Sequence, residues 1–485
     1  MRRAFAASAA VLLGACAVGP DFSRPEPPRP ESYTASGVDL PAAGPIDVKQ
    51  TLAPGGAIIA QWWGLFLSPE LDQVLTTAVA GSPTLDAARA TLAQAQKLVV
   101  AVRGAFYPQV DINASAVRET GTALGSVGVP RVINDVYSVG PAVSFNVDAF
   151  GGTRRAVEQQ AALAEFQRYE LAAAYLSLTG NSVIQAISIA AARDQIQAVA
   201  EIIAIDERNL ELVRIAEEAG KSAHVDVLSA ESQLATDKAL LPPIKQQLSA
   251  ARHALSVLAG TSPAEWTPPD FDFDALHLPA ELPVSLPSTL VRERPDILAV
   301  EAQLHAASAA IGVATARLYP DITLSASWVE QTASTGGVSL GSSGLWSLAA
   351  ELTSPVFHGG TLEAQRQATV DAFAAQLGTY RATVLQAFGQ VADTLRALQH
   401  DAEALAAQQV ALETAQASLE LTQESFAEGQ ANLLQLLQAQ RLYQQARLGY
   451  AKAKGQRYLD TAQLFVAMGG GWREWSDPGP PHEAK

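Results

Sequence analysis

Residues 361–432 read TLEAQRQATVDAFAAQLGTYRATVLQAFGQVADTLRALQHDAEALAAQQVALETAQASLELTQESFAEGQAN. The stretch has no proline, and Leu377, Val384, Val391, Leu398, Leu405, Leu412, Leu419 and Phe426 recur at every seventh residue. A heptad sustained that far belongs to a long supercoiled helix. Ala, Leu, Gln and Glu dominate it, so intrinsic propensity agrees with the period. The companion seam opens with Phe388 and Leu395 and then turns to Ala402, Gln409, Gln416 and Gln423, too polar for an isolated dimer. The helix is therefore expected to pack sideways against several neighbours. Glu428-Gly429-Gln430-Ala431-Asn432 breaks the pattern with a glycine where a helix should end. At 1.5 Å per residue, a helix over Thr361 to Ala427 measures roughly 100 Å.

The same unit occurs twice. Gly220-Lys221-Ser222-Ala223 recurs as Gly429-Gln430-Ala431-Asn432, and Val227-Leu228-Ser229-Ala230 as Leu436-Leu437-Gln438-Ala439. Upstream, Phe150-Gly151-Gly152-Thr153 matches His358-Gly359-Gly360-Thr361, and Tyr107-Pro108 matches Tyr319-Pro320. The spacing, about two hundred residues, far exceeds a solenoid repeat. The first repeat spans 61–286, with strands about 109–118 and 137–149, a long helix about 151–217, a return helix about 224–259 and a linker over 261–287. The second spans 287–470, with strands about 321–330 and 345–354, a long helix about 361–427 and a return helix about 432–467. A shorter helix opens each repeat, Thr84 to Phe106 and Asp296 to Leu318, each stopped by Tyr-Pro because proline disfavours helix at the residue before it. Ile189, Ile196, Ile203 and Leu210 repeat the heptad seam, and Pro242-Pro243 should interrupt the first return helix. The proline-scattered linker reads as a connector over the surface.

The strands alternate. Tyr137, Val139, Pro141, Val143, Phe145 and Val147 oppose Ser138, Gly140, Ala142, Ser144, Asn146 and Asp148. The same holds for Val110, Ile112 and Ala114, for Ile322, Leu324 and Trp328, and for Trp346, Leu348 and Leu352. A soluble sandwich with one solvated face would alternate too. Strand lengths near ten residues and aromatic residues at the strand ends favour an outer-membrane barrel. Four strands cannot close one, whereas three chains supply twelve, with Asn146, Asp148 and Glu351 lining a polar lumen. Glu119 to Val136 and Glu330 to Gly344, rich in glycine and serine, read as rim loops.

Composition excludes other classes. Of 485 residues, 48% are hydrophobic, with mean hydropathy +0.10, which argues against general disorder. Acidic residues number 49 against 33 basic, with no basic cluster, so nucleic acid is not an expected partner. No apolar run reaches the length of a spanning helix. Met1-Arg2-Arg3 and apolar Ala4 to Leu13 read as a secretory signal over 1–15. Leu13-Gly14-Ala15-Cys16 resembles a lipobox, making Cys16, the single cysteine, a lipidation site and excluding an internal disulfide. Residues 16–60 read as an extended, lipidated tether and 471–485 as a tail. The seven histidines show no metal-ligand spacing, and the glycine pairs lack the Lys-Ser/Thr of a P-loop. No catalytic pair stands out, so neither an enzyme nor a cofactor or metal is expected.

The chain resembles the TolC-like outer-membrane factors, in their lipidated branch. The resemblance rests on Cys16-Ala17-Val18-Gly19-Pro20-Asp21-Phe22, Gln61-Trp62-Trp63 with Phe66, and Arg294-Pro295-Asp296-Ile297 with Glu301. It extends to Gly312-Val313-Ala314 with Tyr319-Pro320, Pro355-Val356-Phe357-His358-Gly359-Gly360, and Leu464-Phe465 with Gly469-Gly470-Gly471-Trp472. It implies a mainly α fold with membrane β: a homotrimer forming a twelve-stranded outer-membrane β-barrel continued by a twelve-helix periplasmic α-barrel. It further implies an exit duct of a tripartite efflux system, with a periplasmic adaptor and a proton-driven inner-membrane transporter as partners, in the outer membrane of a Gram-negative bacterium. The family places acidic gate residues just past the second glycine turn, where this chain has Gln435 and Gln438; Asp226 and Ser229 hold the equivalent places in the first repeat. A type I protein-secretion duct and a pore-less structural lipoprotein are the alternatives.

Overall fold

A computed structural model describes residues 17–26, 28, 30, 32–34, 50–56, 58–122, 131–335 and 337–475. The signal segment, Cys16 and the end of the tail lie outside the described residues. The chain divides into two compact units: Met1–Pro25, Thr91–Arg168 and Ala299–Arg381 form the first, and Glu26–Ala90, Tyr169–Leu298 and Ala382–Lys485 the second. In chain order the elements are β1 (Thr51–Pro54), α1 (Pro69–Gly81), α2 (Pro83–Arg103), β2 (Gln109–Thr122), β3 (Arg131–Val147), α3 (Gly152–Glu218), α4 (His224–Lys238) and α5 (Leu241–Leu258). Then come β4 (Glu281–Val284), α6 (Pro287–Glu293), α7 (Pro295–Ala316), β5 (Asp321–Thr335), β6 (Val338–Thr353), α8 (Thr361–Ala427) and α9 (Leu433–Ala467).

The first unit holds a four-stranded antiparallel sheet in the order β2-β3-β5-β6. Its strands run 14, 17, 15 and 16 residues, longer than alternation alone predicts. The segments read as rim loops are largely strand: β3 starts at Arg131, and β5 and β6 leave only residues 336–337 between them. Pairing with a neighbour carries a strand through glycine and serine that propensity would end. Residues 123–130 of the first loop lie outside the described residues.

In the second unit the heptad seam of α8 turns inward. Val384, Val391, Leu398 and Leu405 are buried, as are Leu395, Ala402 and even Gln409 of the companion seam. On α3, Ile189, Val199, Leu210 and Val213 are buried likewise. The first return helix is split into α4 and α5, with Pro242 and Pro243 in the first turn of α5, where their missing N–H groups cost nothing. Trp62 stacks on Phe465 at 5.1 Å and is fully buried, joining two of the sequence fragments that carry the resemblance. Arg294 donates to both carboxylate oxygens of Asp296, to Gln390 Oε1 and to the Ala467 carbonyl, closing the open end of α9.

Three expectations are corrected. The connector over 261–287 is partly core: Phe271, Phe273, Leu276, Leu278 and Leu282 are buried, and β4 pairs in parallel with β1. Apolar residues at alternate positions outweigh the prolines there. The tether is docked: Tyr33 donates to the Ser285 carbonyl at 2.8 Å, its ring packs on Phe388, and Gln50 is buried. Among the described residues one helix, α7, is long and apolar enough to cross a membrane, with mean hydropathy 1.5, although 67% of its apolar stretch is buried, as in a core helix.

Candidate functional site

The sheet has two unlike faces, and its register fixes which residues share them. Cross-strand partners lie on one face. Val110, Val143, Ala326 and Leu348 make one apolar row, and Ile322 and Leu352, with Val147, another. Trp328 and Trp346 are paired farther along the same face. At roughly 3.4 Å per residue the band from Ile322 to Trp328 is about 20 Å tall. Beyond it the face becomes mixed: Val139 pairs with Glu330 and Tyr137 with Thr332, and Arg118 and Asp135 form an ion pair at 2.6 Å. At the near end Phe150 stacks on Tyr319 at 4.8 Å. Among the described residues nothing covers the band: Trp346 is 79% exposed and Leu348 76%. A soluble sandwich would bury this face against a second sheet. An apolar band flanked by aromatics and uncovered by protein fits a bilayer.

The opposite face carries hydroxyls and carboxylates. Ser115 and Ser138 share a hydrogen bond at 2.8 Å, and Ser327 and Ser347 one at 2.9 Å. Two of the predicted lumen residues share one row of this face: Asn146 pairs with Thr323, which pairs with Glu351 on its other side. Asn146 also donates to Asp321 at 2.7 Å. Asp148 does not lie on the strand. It sits past the end of β3, where its carboxylate accepts the N–H groups of Thr153 at 2.8 Å and Arg154 at 3.0 Å, at the positive end of α3.

At the far ends of the long helices, the glycine turns close as the sequence requires. Gly220 and Gly429 take φ of +71° and +76°, and the N–H groups of Lys221 and Gln430 each reach back to a carbonyl of the last turn at 2.8 Å. The predicted gate residues lie just beyond. Gln435 and Asn432 cap each other, the Gln435 side chain accepting from Asn432 N–H at 2.8 Å and the Asn432 side chain from Gln435 N–H at 2.9 Å. Asp226 accepts from Ala223 N–H at 3.1 Å and Ser222 Oγ at 2.7 Å, and Ser229 donates to the Val225 carbonyl. Gln438 is exposed on α9. Behind these side chains Leu210, Val213, Val227, Leu419, Leu433 and Leu436 form a core.

A further cluster, in the first unit, fixes the segment that follows Cys16. Val18 N–H donates to the Phe150 carbonyl at 3.0 Å, and Gly19 lies so close to Gly312 that a side chain on Gly19 would clash with the Gly312 backbone, while one on Gly312 would clash with Arg155. Arg155, buried, donates to the Val18 carbonyl at 3.2 Å, to Asp21 at 2.7 Å and to Glu158 at 2.7 Å. His305 bonds Glu158 at 2.9 Å and stacks on Phe22 at 4.4 Å, and Arg24 donates to Glu301 at 2.6 Å. Burial pushes the Glu158 carboxyl up, but the hydrogen bonds from His305 and Arg155 outweigh it and hold the group below its ordinary range. Sequence reasoning missed Arg155. A cation in the first turn of a long helix opposes the helix dipole, and that misplaced charge was the available signal. Among the described residues no group of three His, Cys, Asp or Glu converges as a metal site.

A family model described as outer membrane efflux protein matches residues 74–261 and 286–470. The pyoverdine export outer membrane protein OpmQ of Pseudomonas aeruginosa is 30% identical over 472 residues, covering 96% of each chain. The toluene efflux pump outer membrane protein TtgF of Pseudomonas putida is 28% identical and covers 95% of each. Among solved structures, the outer-membrane channel OprN superposes with a TM-score of 0.84 at 27% identity, covering 94% of this chain and 100% of that one.

Proposed function

The chain belongs to the outer membrane efflux protein family, and from that premise we propose that three copies close a twelve-stranded barrel and a twelve-helix tunnel that passively conduct small molecules out of the cell. The observation that carries this reading is the uncovered apolar band opposite a face of hydroxyls, amide and carboxylate. A sheet ordered β2-β3-β5-β6 leaves β2 and β6 as edges. Unpaired edges are not tolerated in hydrocarbon, so β2 of one copy must pair with β6 of the next. Energy and selectivity come from an inner-membrane transporter reached through a periplasmic adaptor, and this chain performs no catalysis. Relatives named for pyoverdine and toluene point to small cargo rather than polypeptide.

At the tips, Gln435 and Asp226 are committed to capping their helices, which leaves Gln438 as the residue best placed to face a constriction. If three Gln438 side chains meet near the threefold axis, Gln438→Asp creates a ring of carboxylates that raise one another's pKa and draw cations. Single-channel recordings with and without magnesium are expected to show higher cation selectivity and new divalent block in the variant. Unchanged selectivity and block would remove Gln438 from the constriction, while a purified protein that never conducts would overturn the duct itself.

Cys16 carries an acyl anchor, palmitate being one such chain. The support is positional: Ala17, its neighbour, packs on Gly151 beside the Phe150–Tyr319 pair that borders the apolar band. One acyl chain binds membranes only marginally, whereas the barrel's belt is large. Cys16→Ala is expected to lose acyl labelling yet remain in the outer membrane. A soluble, correctly assembled variant would contradict the barrel assignment.

A further inference from the structure

Two aspartates lie buried in the second unit with no cation among the described residues to balance them. Asp206 of α3 and Asp237 of α4 are 4% and 1% exposed. Asp206 stands at an inward heptad position, between Val199 and Val213, both fully buried. Three of the four carboxylate oxygens accept from glutamine amides. Gln440 of α9 donates to Asp206 Oδ1 at 3.2 Å, Gln233 of α4 donates to Asp237 Oδ2 at 2.9 Å, and Gln444 of α9 donates to Asp237 Oδ1. The fourth, Asp206 Oδ2, is buried without a donor, as is the side chain of Asn209 one turn away. Among the described residues neither carboxylate has an ion pair. The surrounding charges are engaged elsewhere: Glu207 of α3 with Lys238 of α4 at 2.8 Å, and Arg447 of α9 with Glu201 at 3.1 Å and Asp194 at 3.6 Å. Tyr443 of α9 lies among Glu201, Arg447 and Glu420 of α8.

Two adjacent carboxylates cannot both stay ionised in such a site, because burial and like charge oppose it together. Amides presenting N–H groups to the oxygens stabilise one negative charge and would repel a bound metal ion. We propose that Asp206 and Asp237 form a proton-binding site, in which Asp206 Oδ2 carries the hydrogen and donates it to Asp237, latching α4 and α9 against α3. The proton comes from solvent and returns there when the helices part. Burial, with Asp237 beside it, pushes Asp206 up to about 8. In a parted, solvated state the group returns to its ordinary value of 3.8. The closed state therefore holds the extra proton, and closure is strongest in acid and is lost as pH rises towards about 8. Across that window the opening equilibrium rises up to tenfold per pH unit, the consequence of one proton.

The test uses the purified trimer in detergent, and its readouts do not depend on conduction. In infrared spectra, subtracting Asp206→Asn from the parent should leave a carboxylic-acid carbonyl band at pH 6 that is gone at pH 10; buried acids elsewhere cancel. Amide hydrogen exchange across 224–238, corrected for intrinsic pH dependence, should lose protection up to tenfold per pH unit from pH 5 to 8 in the parent and stay flat in Asp206→Asn. Absence of the band at pH 6 would overturn the shared proton. A parent whose exchange over 224–238 responds to magnesium or chelator instead would assign the balancing charge to a cation and overturn it too. The parent's own pH series decides the matter should Asp206→Asn fail to assemble.

Discussion

Val143→Arg is expected to sharply reduce the yield of assembled trimer, while Ser144→Arg, one residue along the same strand, assembles far closer to the parent. Val143 lies in the apolar row with Val110, Ala326 and Leu348, and Ser144 in the row with Gln109, Ser325 and Ala349 on the other face. An arginine at the bilayer midplane on a lipid face costs about 2–4 kcal/mol, roughly a 30- to 900-fold change in equilibrium at each of three sites. On the lumen side the guanidinium keeps its water. Heat-modifiable trimer counted on gels after outer-membrane extraction separates the two, and equal yields would reverse or abolish the assignment of faces.

The second large effect is expected from Arg155→Met, which keeps the side-chain length and removes the charge. Breaking a buried ion pair costs about 3–5 kcal/mol. That range requires a buried charge left uncompensated, whereas the Asp21 side chain is 95% exposed, so the ion pair itself counts for no more than about 1 kcal/mol and the lost hydrogen bond to the Val18 carbonyl adds about 1–3 kcal/mol. The segment over 17–25 should then leave its seat, read as protease cleavage near Asp21 in the variant and none in the parent. Acid should weaken the parent's own clamp. Glu158 is held below its ordinary value of 4.5, so its contribution is present above that value and is lost as pH falls through its lowered one. Cleavage equally slow in both proteins would show that the segment is held without Arg155, by its backbone, by Gly19 against Gly312 and by the Phe22 and Arg24 contacts.

Much of this was legible in the residues, and what was not has physical causes. The heptads on α3 and α8, the glycine turns and the break at Pro242-Pro243 are local signals, and each appears where the pattern places it. Alternation marked the two faces of the sheet. It did not mark the strand ends, because Glu119 to Thr122 have little strand preference of their own and stay in strand through pairing with Arg131 to Asn134. The β1–β4 pair joins Thr51 to Glu281, a parallel contact that no periodicity encodes. The tip shows the opposite failure. Asn432 followed three residues on by Gln435 is a capping-box pattern, readable without a structure, yet the resemblance directed attention to a gate. Asp206 was readable too, as a carboxylate three residues after Ile203 in an otherwise apolar seam. Its partner Asp237 came from another helix, and only the fold brings the two together.

The sheet that ends at β2 and β6 also sets how this protein comes into being. A lone chain presents two unpaired strand edges and an uncovered greasy face, so the folded sheet belongs to the assembly and not to the individual polypeptide. Its stability then carries a concentration, as for any obligate oligomer. Dilution before insertion leaves each newly arrived molecule with exposed edges that attract the wrong neighbour as readily as the right one. Biogenesis is thus a race between ring closure in the bilayer and aggregation outside it.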